Sequence, residues 1–164
     1  MDSANLLRII ECGLAPVAKA HGGKVEVAAD PDHVLEMLAA SAPNTWRIIL
    51  SFGGDEAVEP DDSPGITKWN LQTTVQAARG LTIPSAASTY KESASGRDPL
   101  LYLAALTSQW IRGFSGTTDD IDNRGFRHIA SQWLVIDTLP TRQLMLTHSV
   151  RLKLDPPIDV PLTF

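Results

Sequence analysis

Thr67-Lys68-Trp69-Asn70-Leu71-Gln72-Thr73-Thr74-Val75-Gln76-Ala77-Ala78-Arg79 is the stretch that decides the fold of this 164-residue chain. Trp69, Leu71, Thr73, Val75 and Ala77 take one side of an extended backbone, and Lys68, Asn70, Gln72, Thr74 and Gln76 take the other. A period of two predicts a long strand with one covered face.

The segments on either side complete a sheet and supply its cover. Trp46 to Phe52 is rich in β-favouring residues and predicts a strand that Gly53-Gly54 stops. Before it, Leu6, Leu7, Ile10, Leu14 and Val17 recur at helical spacing, with Ser3 as the expected N-cap and Gly13 and Pro16 weakening the second half. Lys24 to Ala28 reads as a short strand. Asp30-Pro31 pairs an N-cap with a first helical residue and predicts a helix to about Ala40. Downstream, Asp98-Pro99 opens a helix whose apolar stripe runs through Leu100, Leu103, Ala104, Leu106 and Ile111 to Gly113. Phe126 to Asp137 and Arg142 to Asp155 then read as the arms of a long hairpin. Its second arm puts Leu144, Leu146, His148, Val150, Leu152 and Leu154 on one face.

With no βαβ rhythm and no internal repeat, this order predicts an α+β fold: a mainly antiparallel sheet with a long hairpin, and helices packed on one face. One domain over 1–164 is expected, with mobile loops near 53–66 and 82–97. Pro156, Pro157 and Pro161 predict an extended tail over 156–164.

Composition excludes several classes. A hydrophobic fraction of 43% and a charged fraction of 20% are ordinary for a globular protein. A chain of this length buries roughly 70% of its unfolded surface, enough to fold without staples. The longest apolar runs fall far short of the ~20 residues that span a bilayer. Met1-Asp2-Ser3 does not open a signal peptide, so the protein is expected to stay where it is made. The net charge of −5 argues against a protein that grips nucleic acid by neutralising phosphates. Cys12, the single cysteine, is expected as a small buried apolar side chain.

Motifs for chemistry are missing. Gly53-Gly54 leads into an acidic stretch rather than a phosphate-cradling helix, and no serine stands in a nucleophile-elbow setting. Cys12, His21, His33, His128 and His148 offer no pair at metal-ligand spacing, so no metal or other cofactor is expected. The acidic residues Asp55, Glu56, Glu59, Asp61 and Asp62 read as a solvated loop. In a ring, the same loop could face inward, lining the lumen or an edge that meets a partner, where it would repel DNA phosphates and let a duplex pass without sticking. The weakly charged faces of the long strands suit contact with neighbouring copies, with Trp69, Gln72, Thr74, Gln76, Arg151 and Lys153 as the candidate interface residues.

The N-terminal helix, the long alternating strand, the loop after it, the Asp98-Pro99-Leu100-Leu101 helix and the Gly125-Phe126-Arg127 to Trp133-Leu134 strand follow in a particular order. With the closing Arg142 to Leu154 strand, that layout resembles the tail-terminator (tail-completion) proteins of long-tailed bacteriophages, across roughly Leu6 to Asp155. The resemblance is one of pattern rather than of an invariant motif. It implies a non-enzymatic virion subunit, assembled in the host cytoplasm and placed at the head-proximal end of the tail. There it would form a ring, usually a hexamer, that caps the tail tube, meets the head connector and lets DNA through its lumen. A tail-tube or head-tail joining subunit is a second reading. A third, of a different class, is a small hydrolase or ligand-binding domain, for which His128, His148 and Asp137 are the residues to inspect.

Overall fold

A computed structural model describes residues 2–40, 46–58, 66–77, 100–114, 121, 125–136 and 142–153. Through them run α1 (Ser3–Ala20), β1 (Lys24–Val27), α2 (Pro31–Ala40), β2 (Arg47–Ala57), β3 (Ile66–Gln76), α3 (Leu100–Gly113), β4 (Arg127–Leu134) and β5 (Gln143–Lys153). The strands form one sheet in the order β1-β2-β3-β5-β4. Only the β1–β2 pairing is parallel; β2–β3, β3–β5 and β5–β4 are antiparallel. The α+β architecture and the long β4–β5 hairpin are therefore as the sequence predicts.

The alternation of β3 sets the register of everything around it. Trp69 pairs with Val150, Leu71 with His148, Thr73 with Leu146 and Val75 with Leu144, so one face carries an apolar surface interrupted by Thr73 and His148. α1 and α3 lie on that face. Leu6, Ile10 and Leu14 of α1 pack with Ile48, Leu50, Trp69 and Leu71, and Leu100, Leu103 and Ala104 of α3 pack with Val75, Leu144 and Leu146. Trp69 is completely buried; its indole stacks on Phe52 and meets Phe126 edge-on, while Nε1 donates to Ser3 Oγ at 3.0 Å. Burying a ring of this size, with its N–H satisfied, makes Trp69 the anchor of the larger core.

Four local expectations change. Helix α1 begins one residue early, because Asp2 rather than Ser3 is the N-cap: its carboxylate accepts from the Asn5 backbone N at 2.7 Å and from the Asn5 side chain at 2.9 Å. The helix also runs unbroken through Gly13 and Pro16 to Ala20. A Cβ at Gly13 would overlap Cζ2 and Cη2 of Trp110, so this glycine is the gap through which α1 and α3 approach. Strand β2 does not stop at Gly53-Gly54. It shifts register between Phe52 and Asp55, with Gly54 at φ 94°, and continues to Ala57. The glycine pair is thus a bulge within a strand. Cys12, expected to be buried, is exposed.

The short helix α2 departs from the one-sided cover. Val34 and Leu38 pack with Ile49, which alternates to the sheet face opposite Ile48 and Leu50. Arg47, on the same face as Ile49, holds α2 there by donating from Nη1 to the Met37 carbonyl at 2.6 Å, with Nε 3.3 Å from Glu26 Oε2. Asp30 caps α2 as predicted, accepting from the His33 backbone N at 2.7 Å, and the His33 ring accepts in turn from Ala29 N at 2.9 Å. The loop expected over 82–97 and the tail over 156–164 lie outside the described residues.

Candidate functional site

β4 is the long edge of the sheet, and among the described residues no strand pairs with its outer side. Its residues Arg127 to Trp133 are all exposed, unlike any other strand here. The apolar ones are large: Ile129 is 52% exposed, Trp133 47% and, just past the strand, Val135 80%. An unpaired edge offers a row of free backbone donors and acceptors, and a soluble protein ordinarily blunts such an edge with charge or proline. From Ile129 to Ile136 this one carries neither.

Between β4 and α3 opens a cavity of about 460 Å³ whose wall includes Ser108, Gln109, Arg112, His128, Ser131 and Trp133. The hairpin register places His128 directly opposite His148. His148 is fully buried, and its Nε2 lies 2.9 Å from Ser108 Oγ. His128 is exposed, with Nε2 2.7 Å from Ser131 Oγ. Burial pushes His148 down from 6.5 to about 4, helped by the charges of His128 and Arg112.

This His–Ser pairing is poorly set for nucleophilic catalysis. To take the Ser108 proton, Nε2 must present a lone pair, which moves the ring proton to Nδ1. Nδ1 is buried and has no hydrogen-bond partner among the described residues. The alternative tautomer, with Nε2–H donating to Ser108, leaves only an acceptor unsatisfied, and a ring with a pKa of about 4 is a weak base. The pair ties α3 to β5. Asp137, the remaining residue for a hydrolase site, lies outside the described residues.

The other predicted residues scatter. Asp55 and Glu56 are exposed but sit on β2 rather than in a loop, with Glu56 3.6 Å from Lys68; Glu59, Asp61 and Asp62 are outside the described residues. Of the proposed interface residues, Trp69, Thr74 and Gln76 are buried within the chain itself, which leaves them no surface for a neighbour. The second face of β3 is closed off toward its C-terminal end, at Thr74 and Gln76. Gln72 is partly buried, while Arg151 and Lys153 are exposed. Sequence reading missed the β4 edge, since nothing in a strand's own residues says which strand ends a sheet.

Among the described residues no group of three or more His, Cys, Asp or Glu side chains could hold a metal ion, and no helix is long and apolar enough to cross a membrane.

No protein-family model matches this chain, and no curated protein matches it. Among solved structures it is similar to a chain in the virion of a native gene transfer agent (GTA) particle. The identity is 15%, the match covers 76% of this chain and 87% of that chain, and the TM-score is 0.42. A likeness that remote establishes neither a shared fold nor a shared role.

Proposed function

We propose that this protein is a structural virion subunit that joins copies of itself into a ring, capping a phage tail tube and meeting the head connector. The observation that carries the reading is the β4 edge: an eight-residue strand whose outer side has no partner among the described residues, with exposed Ile129 and Trp133 on it and exposed Val135 just past it. A surface of that kind fits permanent contact with another polypeptide better than life in solvent. The chain order that resembles tail terminators supports it, and so does the acidic balance of −5, which suits a wall that DNA passes without sticking. The ring is hexameric in this reading, with the acidic segment from Asp55 toward Asp62 on the lumen or a partner-facing edge.

The test is the mass of the purified protein against concentration, with imaging of any large species, alone and after mixing with tail tubes that lack a terminator. Single-layered rings, or tubes that cease to grow, support the cap; continued growth into tubes selects the tail-tube reading. A chain that remains monomeric and leaves the tubes unaltered overturns both.

A further inference from the structure

Lys68 of β3 and Arg151 of β5 stand directly opposite each other, and Arg127 of β4 stands opposite Ser149, one pair further along the same face. Like charges in a cross-strand pair repel. The three cations border a pocket of about 240 Å³ that also includes Ile129 and Ser149. Among the described residues the single carboxylate of an ion pair here is Glu56, 3.6 Å from Lys68, and its side chain is 65% exposed. Among the described residues neither Arg127 nor Arg151 has an ion pair. On a chain with a net charge of −5, such a cluster is a marked local reversal of sign.

Helix α2 carries the complementary surface. Val34 and Leu38 turn toward the sheet, which leaves Asp32, Leu35 and Glu36 on the outward face, with Leu35 47% exposed. Residues three and four apart on a helix are surface neighbours, so Asp32 adjoins both Leu35 and Glu36, and the face presents two adjacent carboxylates with an apolar side chain beside Asp32. Among the described residues no ion pair occupies either carboxylate. The pocket has the matching composition, three cations around the half-exposed Ile129.

We propose that the Lys68–Arg127–Arg151 pocket receives the Asp32–Leu35–Glu36 face of α2 from a second copy of this chain. The two surfaces cannot meet within one molecule. α2 covers the sheet at Ile49, opposite Thr74, and the pocket begins at Lys68, six residues further along β3, about 20 Å away at ~3.3 Å per residue. Because different patches meet, the contact is heterologous and closes into a ring or continues as a filament. The inference rests on the self-assembly reading above and adds the partner surface to it.

Sedimentation of the wild-type chain, of R127E/R151E, of D32K/E36K and of the chain carrying all four changes tests it. Each pair of reversals should weaken association at least tenfold, and the fourfold variant should return to within about threefold of wild type, since two of the three pocket cations and both carboxylates are exchanged and the net signs stay complementary. L35C/I129C in a C12S background should give a disulfide-linked ladder under mild oxidation, whether in solution or on tube ends. Unchanged association in either reversal, no recovery in the fourfold variant with its thermal melt intact, or no ladder overturns the proposal. If reversal has no effect while disruption of the β4 edge abolishes assembly, this contact falls and the assembly reading stands. A wild-type chain that never associates and never alters tubes removes both.

Discussion

The imidazole rings of His128 and His148 face each other across the β4–β5 pairing with centroids 5.3 Å apart and an interplanar angle of 66°. One ring is open to solvent and the other is sealed beneath α3, so the two experience opposite dielectric surroundings. His148 is held at about 4 against an ordinary 6.5, first by burial and then by the nearby positive charge of His128 and Arg112. Between those values the unfolded chain binds a proton that the native chain refuses. Stability should therefore be full above pH 6.5 and fall as the pH drops to about 4, by on the order of 3 kcal/mol, then cease to change from this source. Urea melts from pH 4 to 7 should show the slope, and His148→Leu should flatten it. His128→Ala, which removes one repelling charge but leaves the burial, should make the loss smaller by raising the His148 pKa.

Gly13→Ala should disrupt the contact between α1 and α3. The added methyl meets the Trp110 ring, which also stacks on Phe114 at 5.4 Å and so is not free to swing aside. Overpacking of this kind costs about 1–3 kcal/mol, more than the gain in helix propensity of roughly 1 kcal/mol. Pairing Gly13→Ala with Trp110→Leu should recover part of the loss, and chemical denaturation of the three chains reads it.

Trp69 separates packing from hydrogen bonding. Trp69→Phe keeps most of the buried ring but frees Ser3 Oγ, and should cost about 1–3 kcal/mol; Trp69→Ala should cost about 3–5 kcal/mol. Ser3→Ala in the Trp69→Phe background should then add little, since the shared bond is already gone. A double-mutant cycle by equilibrium unfolding gives the coupling.

Val135→Glu tests the β4 edge with little risk to the fold. The side chain is 80% exposed, so thermal stability should stay within about 0.5 kcal/mol of wild type. Self-association should nonetheless be lost, because a buried unpaired carboxylate at a contact is unfavourable. Unaltered assembly by sedimentation would show that the contact lies elsewhere on the molecule.

Two kinds of information went into this fold. Strand and helix identity was legible locally: the period of two through Trp69, Leu71, Thr73 and Val75 and through Leu144 to Leu152, and the helical spacing of Leu6, Ile10 and Leu14, each depend only on neighbours along the chain. Asp30-Pro31 marked a helix start for the same reason. The misreadings at the glycines concern partners distant in sequence. Gly53-Gly54 looks like a terminator until Asn70 and Gln72 of β3 are found beside Gly53, where a Cβ would lie 3.0 Å from Gln72 Cγ. Gly13 looks like a helix breaker until Trp110 fills the space it leaves.

Sequence by itself determined the α+β class, the two-faced strands and the absence of any local motif for phosphate or metal chemistry, because those depend on side-chain order along one backbone. Tertiary structure alone decided that Trp69, Thr74 and Gln76 are enclosed, that His148 is buried against Ser108, and that β4 ends the sheet with its apolar residues in solvent. It also set Lys68 against Arg151, a pairing between residues 83 positions apart that only the β3–β5 register creates. Strand order and register are fixed by which faces bury together, a property of the whole sheet that no single strand encodes.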